Sequence, residues 1–143
     1  MAFLKLDNPS EEAVADVLQS VPARSFAEVR GEYEKLMAAG VDAIRKLAEL
    51  ILEEGHGDDS KVRIAFHGLA IYAGQREADR KIFAQAVSIE LETAAPGSVK
   101  MFLMQQALIA GALEAQEAIG KLVQDQDAGV EATRVLSGLK HQR

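Results

Sequence analysis

Leu47, Phe83 and Ile119 stand 36 residues apart, as do Leu50, Ala86 and Leu122, and Ile51, Val87 and Val123. From one set to the next the offsets are three and four, as in Leu47, Leu50 and Ile51, which marks one face of an α-helix. Three apolar positions returning three times at one spacing mean that one supersecondary unit is reused. Such a unit cannot bury its apolar face alone and has to be covered by the next copy. Between these helices, Val62-Arg63 returns 37 residues later as Val99-Lys100, and 31 residues after that as Val130-Glu131. The shorter step is expected to fall in the loop Asp125 to Asp127, where a repeat tolerates change.

Turn residues divide the chain into about eight helical stretches. Pro9-Ser10, followed by Glu11 and Glu12, suits a helix N-terminus, and Pro22 closes that stretch. Ser25-Phe26-Ala27-Glu28 reads as a capping box, with apolar positions at helical spacing up to Gly40. A third helix is expected from about Asp42 to Glu54. The loop Gly55 to Ser60 then supplies an Asp or Ser cap for a helix ending at Gly74. Further helices are expected at Arg76 to Thr93, Ser98 to Ala110, Glu114 to Gln124 and Ala128 to Lys140. Nowhere does the strict alternation of a half-buried strand appear, so no sheet is expected. Short loops make consecutive helices antiparallel neighbours.

A helix pair of 36–37 residues, with a Gly or Asp turn before Val-Arg at the start of its second helix, resembles the HEAT repeat. The residues that carry the resemblance are Asp58 to Arg63 with Ala65 and Leu69, and Gly111 through Val123 with Ala128 to Leu139. The segment Ala65-Phe66-His67-Gly68-Leu69-Ala70 is also similar to HEAT-like domains of uncharacterised bacterial proteins. The resemblance covers about residues 41–140. It implies an all-α, right-handed α-solenoid of antiparallel helix pairs, with repeats at 41–74, 76–111 and 112–140 in one domain spanning 1–143. Residues 10–39 depart from the pattern, since Glu11 stands where an equivalent of Leu47 is needed. They are expected to form an atypical capping pair over the open end of the stack.

Charge narrows the function. The formal net charge of −6 opposes a phosphate-backbone partner, which needs a dense Lys/Arg surface. Some helical-repeat proteins handle nucleic acid bases with a basic concave face and aromatic residues; this chain is acidic and has no Trp. With no Cys there is neither a disulfide nor a thiolate zinc site nor a thiol nucleophile. The longest apolar run, Ala107 to Leu113, is too short to span a bilayer. The first residues lack the basic flank and apolar stretch of a signal peptide, so the expectation is a soluble chain of unassigned, by default cytoplasmic, location.

Three histidines with no partner at helical spacing predict no metal site, and the crowding of Glu53-Glu54 and Asp58-Asp59 does not match a calcium loop. No phosphate loop, nucleophile elbow or catalytic triad stands out, so neither a catalytic residue nor a cofactor is expected. The expected function is a non-catalytic protein-interaction or scaffold module. A lyase-type enzyme holding a small molecule in the concavity, and a self-associating structural domain, are the alternatives. The expected binding residues lie on the even-numbered helices: Arg63, His67, Lys100, Met104 and Gln105. In HEAT-like repeats the Arg after the Val pairs with an Asp of a neighbouring turn, which implies a structural use for Arg63. Ile64 and Ile71, with His67 between them, form a second apolar stripe that recurs as Met101, Met104 and Leu108 and again as Ala132, Val135 and Leu139. It reads either as inter-repeat packing or as a continuous groove for a partner helix or a second copy. Glu, Asp and Lys of the odd-numbered helices are expected on the solvated outer face.

Overall fold

The computed structural model describes residues 9–22, 26–93 and 95–141. Among them the chain is all-helical, with eight α-helices, one 3-10 turn and no strand. Helix α1 spans Pro9–Ser20 and α2 Phe26–Ala39. Proline at the first helical position costs nothing, because an N–H there has no intrahelical partner, and Glu11 and Glu12 sit at the favourable end of the dipole. Ser25, the expected cap of α2, lies outside the described residues.

Helix α3 is short, Val41–Ala48, where the sequence pattern extends to Glu54. Its end tightens into i→i+3 bonds, Leu50 N–H to the Leu47 carbonyl at 3.1 Å and Ile51 N–H to the Ala48 carbonyl at 3.0 Å. Beyond it Leu52 is claimed by distant partners, which local periodicity does not reveal. Helices α4 (Ser60–Ala73), α5 (Glu77–Leu91) and α6 (Gly97–Ala110) fall close to their expected limits. Gly111 ends α6 in the left-handed region at φ 66°, and the Ala112 N–H reaches back to the Ala107 carbonyl at 2.9 Å. The stretch expected as one helix from Glu114 to Gln124 is instead a 3-10 turn, Leu113–Ala115, and a short α7, Gln116–Gly120. Asp125 Oδ2 then accepts the N–H groups of Asp127 and Ala128, forming the turn before α8 (Gly129–His141).

Helices two apart in the chain lie side by side. Helix α1 packs on α3, α3 on α5, and α5 on the 3-10 turn and α7; α2 packs on α4, α4 on α6, and α6 on α8. Leu47, Phe83 and Ile119, the first recurring set, are fully buried in α3, α5 and α7. Leu50, beyond the end of α3, is exposed, whereas its counterparts Ala86 and Leu122 are buried. Phe83 meets Phe66 of α4 with ring centroids 5.3 Å apart, so the two rows of helices share one apolar core.

The odd-numbered helices do not carry only solvated charge. Glu90 of α5 is 4% exposed, contrary to expectation, and accepts a hydrogen bond from Arg45 Nε of α3 at 2.9 Å. A neighbouring cation is what allows a carboxylate at that depth. Among the described residues no helix is long and apolar enough to cross a membrane.

Candidate functional site

The α3–α4 loop is closed through Leu52. Its N–H donates to Asp59 Oδ2 at 2.8 Å, and its carbonyl accepts from an Arg63 Nη at 2.9 Å. Arg63 Nε returns to the same Asp59 oxygen at 2.9 Å. Burial pushes the Asp59 carboxyl up, but the Leu52 N–H and the Arg63 guanidinium outweigh it and hold the group below the usual range. The Arg63 guanidinium also lies 4.8 Å from the centroid of the Phe102 ring of α6, a cation–π distance. A single Arg of the first turn of α4 therefore ties the preceding loop to the next even-numbered helix. Asp58 fastens the start of α4, its Oδ1 accepting the Ser60 N–H at 3.1 Å and the Ser60 hydroxyl at 2.5 Å.

Between this loop and α6 lies an open cleft of about 410 Å³. Leu52, Glu53 and Glu54 form one wall, Met101, Phe102 and Gln105 the other. The Glu54 N–H donates to Ser98 Oγ at 3.2 Å, which fixes the loop wall to the first turn of α6. A cleft of this size holds a small molecule or one to two side chains of a bound segment.

Of the five expected binding residues, Arg63 and Gln105 line this cleft. Gln105 is exposed and hydrogen-bonded to Glu131 of α8, whose carboxylate also pairs with Arg134. Lys100 lies part-buried on α6, outside the cleft lining. His67 is exposed on α4, and its Nδ1 donates at 3.0 Å to the amide oxygen of buried Gln106, again outside the cleft. Met104 is a correction: at 0% exposure it is core, and no partner reaches it on the folded chain.

The second stripe is likewise broken. Ile64 and Ile71 are 45% and 41% exposed, but Met104, Ala132, Val135 and Leu139 are buried. Leu108 is part-buried, its δ carbons filling the notch at Gly138 of α8. The stripe is thus a surface on α4, part of the cleft wall at Met101, and buried packing at Met104 and along α8. The third Val of the recurring pair also fails: Val130 is 86% exposed where its counterpart Val99 is buried. The spacing of the buried Val99, Leu103, Ala107 and Ala110 is matched by Ala128, just ahead of α8, and by Ala132, part-buried Leu136 and Leu139 within it. The register of the last pair is therefore set two residues earlier than Val130 implies.

Leu52, Ser98 and Phe102 were missed in the sequence. Their contributions depend on a loop carbonyl, a first-turn hydroxyl and an aromatic face, none of which has a motif. The only signal was the Asp58-Asp59 pair ahead of Arg63.

A second polar cluster sits between α3 and α5. Burial, and a hydrogen bond with Glu49, push the Glu90 carboxyl up against the opposing pull of Arg45. A cleft of about 250 Å³ adjoins it, lined by Ala48, Ile51, Thr93 and Val99 together with the two carboxyls. Arg45 already contacts both carboxyls, Glu90 at 2.9 Å and Glu49 at 3.5 Å, so the cluster reads as an internal ion pair. A scan of protein-family models finds none that matches the chain, and neither the curated proteins nor the solved structures contain a match to it.

Proposed function

We propose that the chain is a HEAT-like α-solenoid acting as a non-catalytic protein-interaction or scaffold module, with the cleft between the α3–α4 loop and α6 as its working surface. The order of contacts, odd-numbered helix on odd and even on even, is what stacked helix pairs require. The observation that carries the functional part is the way Arg63, the cation of the cleft lining, and its partner Asp59 are spent. Arg63 and Asp59 bind each other, the Leu52 backbone and the Phe102 ring, and so shape the cleft without reacting in it. An enzyme of lyase type needs convergent polar groups left for its substrate, whereas the carboxylates left over, Glu53 and Glu54, are exposed at the rim. A module that receives a protein segment needs a fixed, half-apolar concavity, and Leu52, Met101 and Phe102 provide it.

Gln105→Trp places a large ring in the cleft from an exposed position. Proteins retained by the immobilised chain should be lost on this variant and kept on Gln85→Ser, an exposed change on α5 outside the cleft lining. Identical retention by both variants would overturn the reading.

A further inference from the structure

We infer that the cleft receives an extended protein segment through a Lys or Arg side chain, its aliphatic stem over Phe102 and Met101 and its cation against Glu53 and Glu54. This rests on the interaction reading above and names the partner's chemistry.

The cation lining the cleft is already used. Arg63 gives Nε to Asp59, an Nη to the Leu52 carbonyl and its face to Phe102, so it has little left for an incoming anion. The rim carboxylates are free of strong partners. Among the described residues Glu53, half of its side chain exposed, pairs only with His56, at 3.5 Å, and Glu54 makes no side-chain ion pair. Asp58, exposed beside them, is held in its charged form by the Ser60 hydroxyl and N–H. An anionic or phosphate-bearing ligand would face this rim unpaired, and a neutral apolar one would leave it desolvated without compensation.

The rim is also held still. The Glu54 N–H is tied to Ser98 Oγ, and the His56 N–H donates to the Glu53 carbonyl at 3.0 Å. Carboxylates on a fixed turn are already positioned for a cation, so less ordering is lost on binding. The cleft lining also has an apolar share. Met101 and Phe102 are part-buried and Leu52 exposed, a surface that suits the methylene stem of Lys or Arg while its head stays at the wet edge. The volume of about 410 Å³ takes one or two side chains, which selects an extended segment over a folded surface. The net charge of −6 adds long-range attraction for a basic partner.

The probe is a random dodecapeptide library selected against the immobilised full chain, with chosen peptides resynthesised and their binding followed by fluorescence polarisation. Selected peptides should share Lys or Arg beside an apolar residue. Replacing that Lys by norleucine should weaken binding about tenfold, and Glu53→Gln with Glu54→Gln should do the same. Raising salt from about 50 to about 500 mM should weaken it comparably. The norleucine and salt arms use the unaltered chain, so they decide even where a variant misfolds. Peptides without a basic residue that compete for the cleft and are lost on Gln105→Trp would overturn the basic occupant and leave the interaction module standing. Absence of any selected peptide, or binding indifferent to Gln105→Trp, would overturn both.

Discussion

The Tyr33 hydroxyl of α2 crosses α4 over Gly68, which has no side chain to obstruct it, and donates to the Ala65 carbonyl at 3.1 Å. A Cβ at position 68 would collide with that oxygen and lie 2.8 Å from Tyr33 Cζ. Burial pushes the phenol up to about 12, so it remains a donor at any ordinary pH. Gly68 thus sets how closely α2 approaches α4. Ala is the better helix former by about 1 kcal/mol, yet Gly68→Ala is expected to destabilise by ~1–3 kcal/mol through overpacking. Tyr33→Phe in the Gly68→Ala background should recover part of the loss, read as a coupling energy from urea midpoints. A stabilised Gly68→Ala would show that Tyr33 moves aside freely.

Phe83 is fully buried at the position shared with Leu47 and Ile119, its ring against Phe66. Phe83→Ala removes that ring and leaves a cavity that small Ala neighbours cannot fill. The expected cost is ~3–5 kcal/mol, and Ile119→Ala at the equivalent place should cost ~2–5 kcal/mol. An unmoved denaturant midpoint for either would mean that the recurring face is not the core.

The burial of Leu47, Phe83 and Ile119 was legible because apolar residues at helical spacing mark the face that a helix buries. The ends of α3 and α7 were not: Leu52 leaves the expected helix for Asp59 and Arg63, and α7 stops at Gly120, short of the expected Gln124. Periodicity carries no trace of such side-chain-to-backbone bonds. The stripe from Ile64 to Leu139 misled for a related reason. Apolar spacing says that a helix has a second face, but whether that face is covered depends on the helix packed beside it. The cleft was half legible: Arg63 and Gln105 were found from the even-helix pattern, whereas Phe102 and Leu52 act through tertiary placement.

Met104 and Ile64 separate packing from surface. Met104 is 0% exposed, so Met104→Glu leaves an unpaired carboxylate in an apolar site and should cost ~4 kcal/mol or more. Ile64 is exposed on α4, and Ile64→Glu should cost less than ~1 kcal/mol. Thermal melts of the two variants at equal concentration check this. A well-folded Met104→Glu would return Met104 to the surface candidates.

Arg63 holds the loop by geometry as well as by charge. Arg63→Lys keeps the cation but cannot reach Asp59 and the Leu52 carbonyl together, and it loses the planar face over Phe102. A loss of ~1 kcal/mol is expected, modest because the pair is part-exposed. The sharper signature is local: the Leu52 and Glu54 amides, bonded to Asp59 and Ser98, should exchange hydrogen faster. Unchanged exchange there would show that the loop is held without Arg63.

Glu90 and Arg45 give a pH dependence with a definite sign. Burial, with the Glu49 hydrogen bond, raises the folded Glu90 carboxyl above its ordinary value of 4.5, and Arg45 opposes the rise. A raised carboxyl means that the folded chain holds a proton that the unfolded chain has released. The stability from this group is therefore full below about pH 4.5 and is lost as pH rises through the folded value. Arg45→Met removes the opposing cation and leaves the Glu90 charge buried without compensation. Its destabilisation relative to the parent should accordingly be larger near pH 7.5 than near pH 4.5, taken from urea midpoints at about those two values. Glu90→Gln keeps the shape and removes the titration, so the Arg45→Met, Glu90→Gln double variant should lose that pH-dependent part. Comparing each variant with its own parent at each pH cancels the exposed carboxylates common to both. An Arg45→Met deficit that is equal at the two pH values, or greater at the lower one, would show that Glu90 stays solvated and that Arg45 does not compensate it.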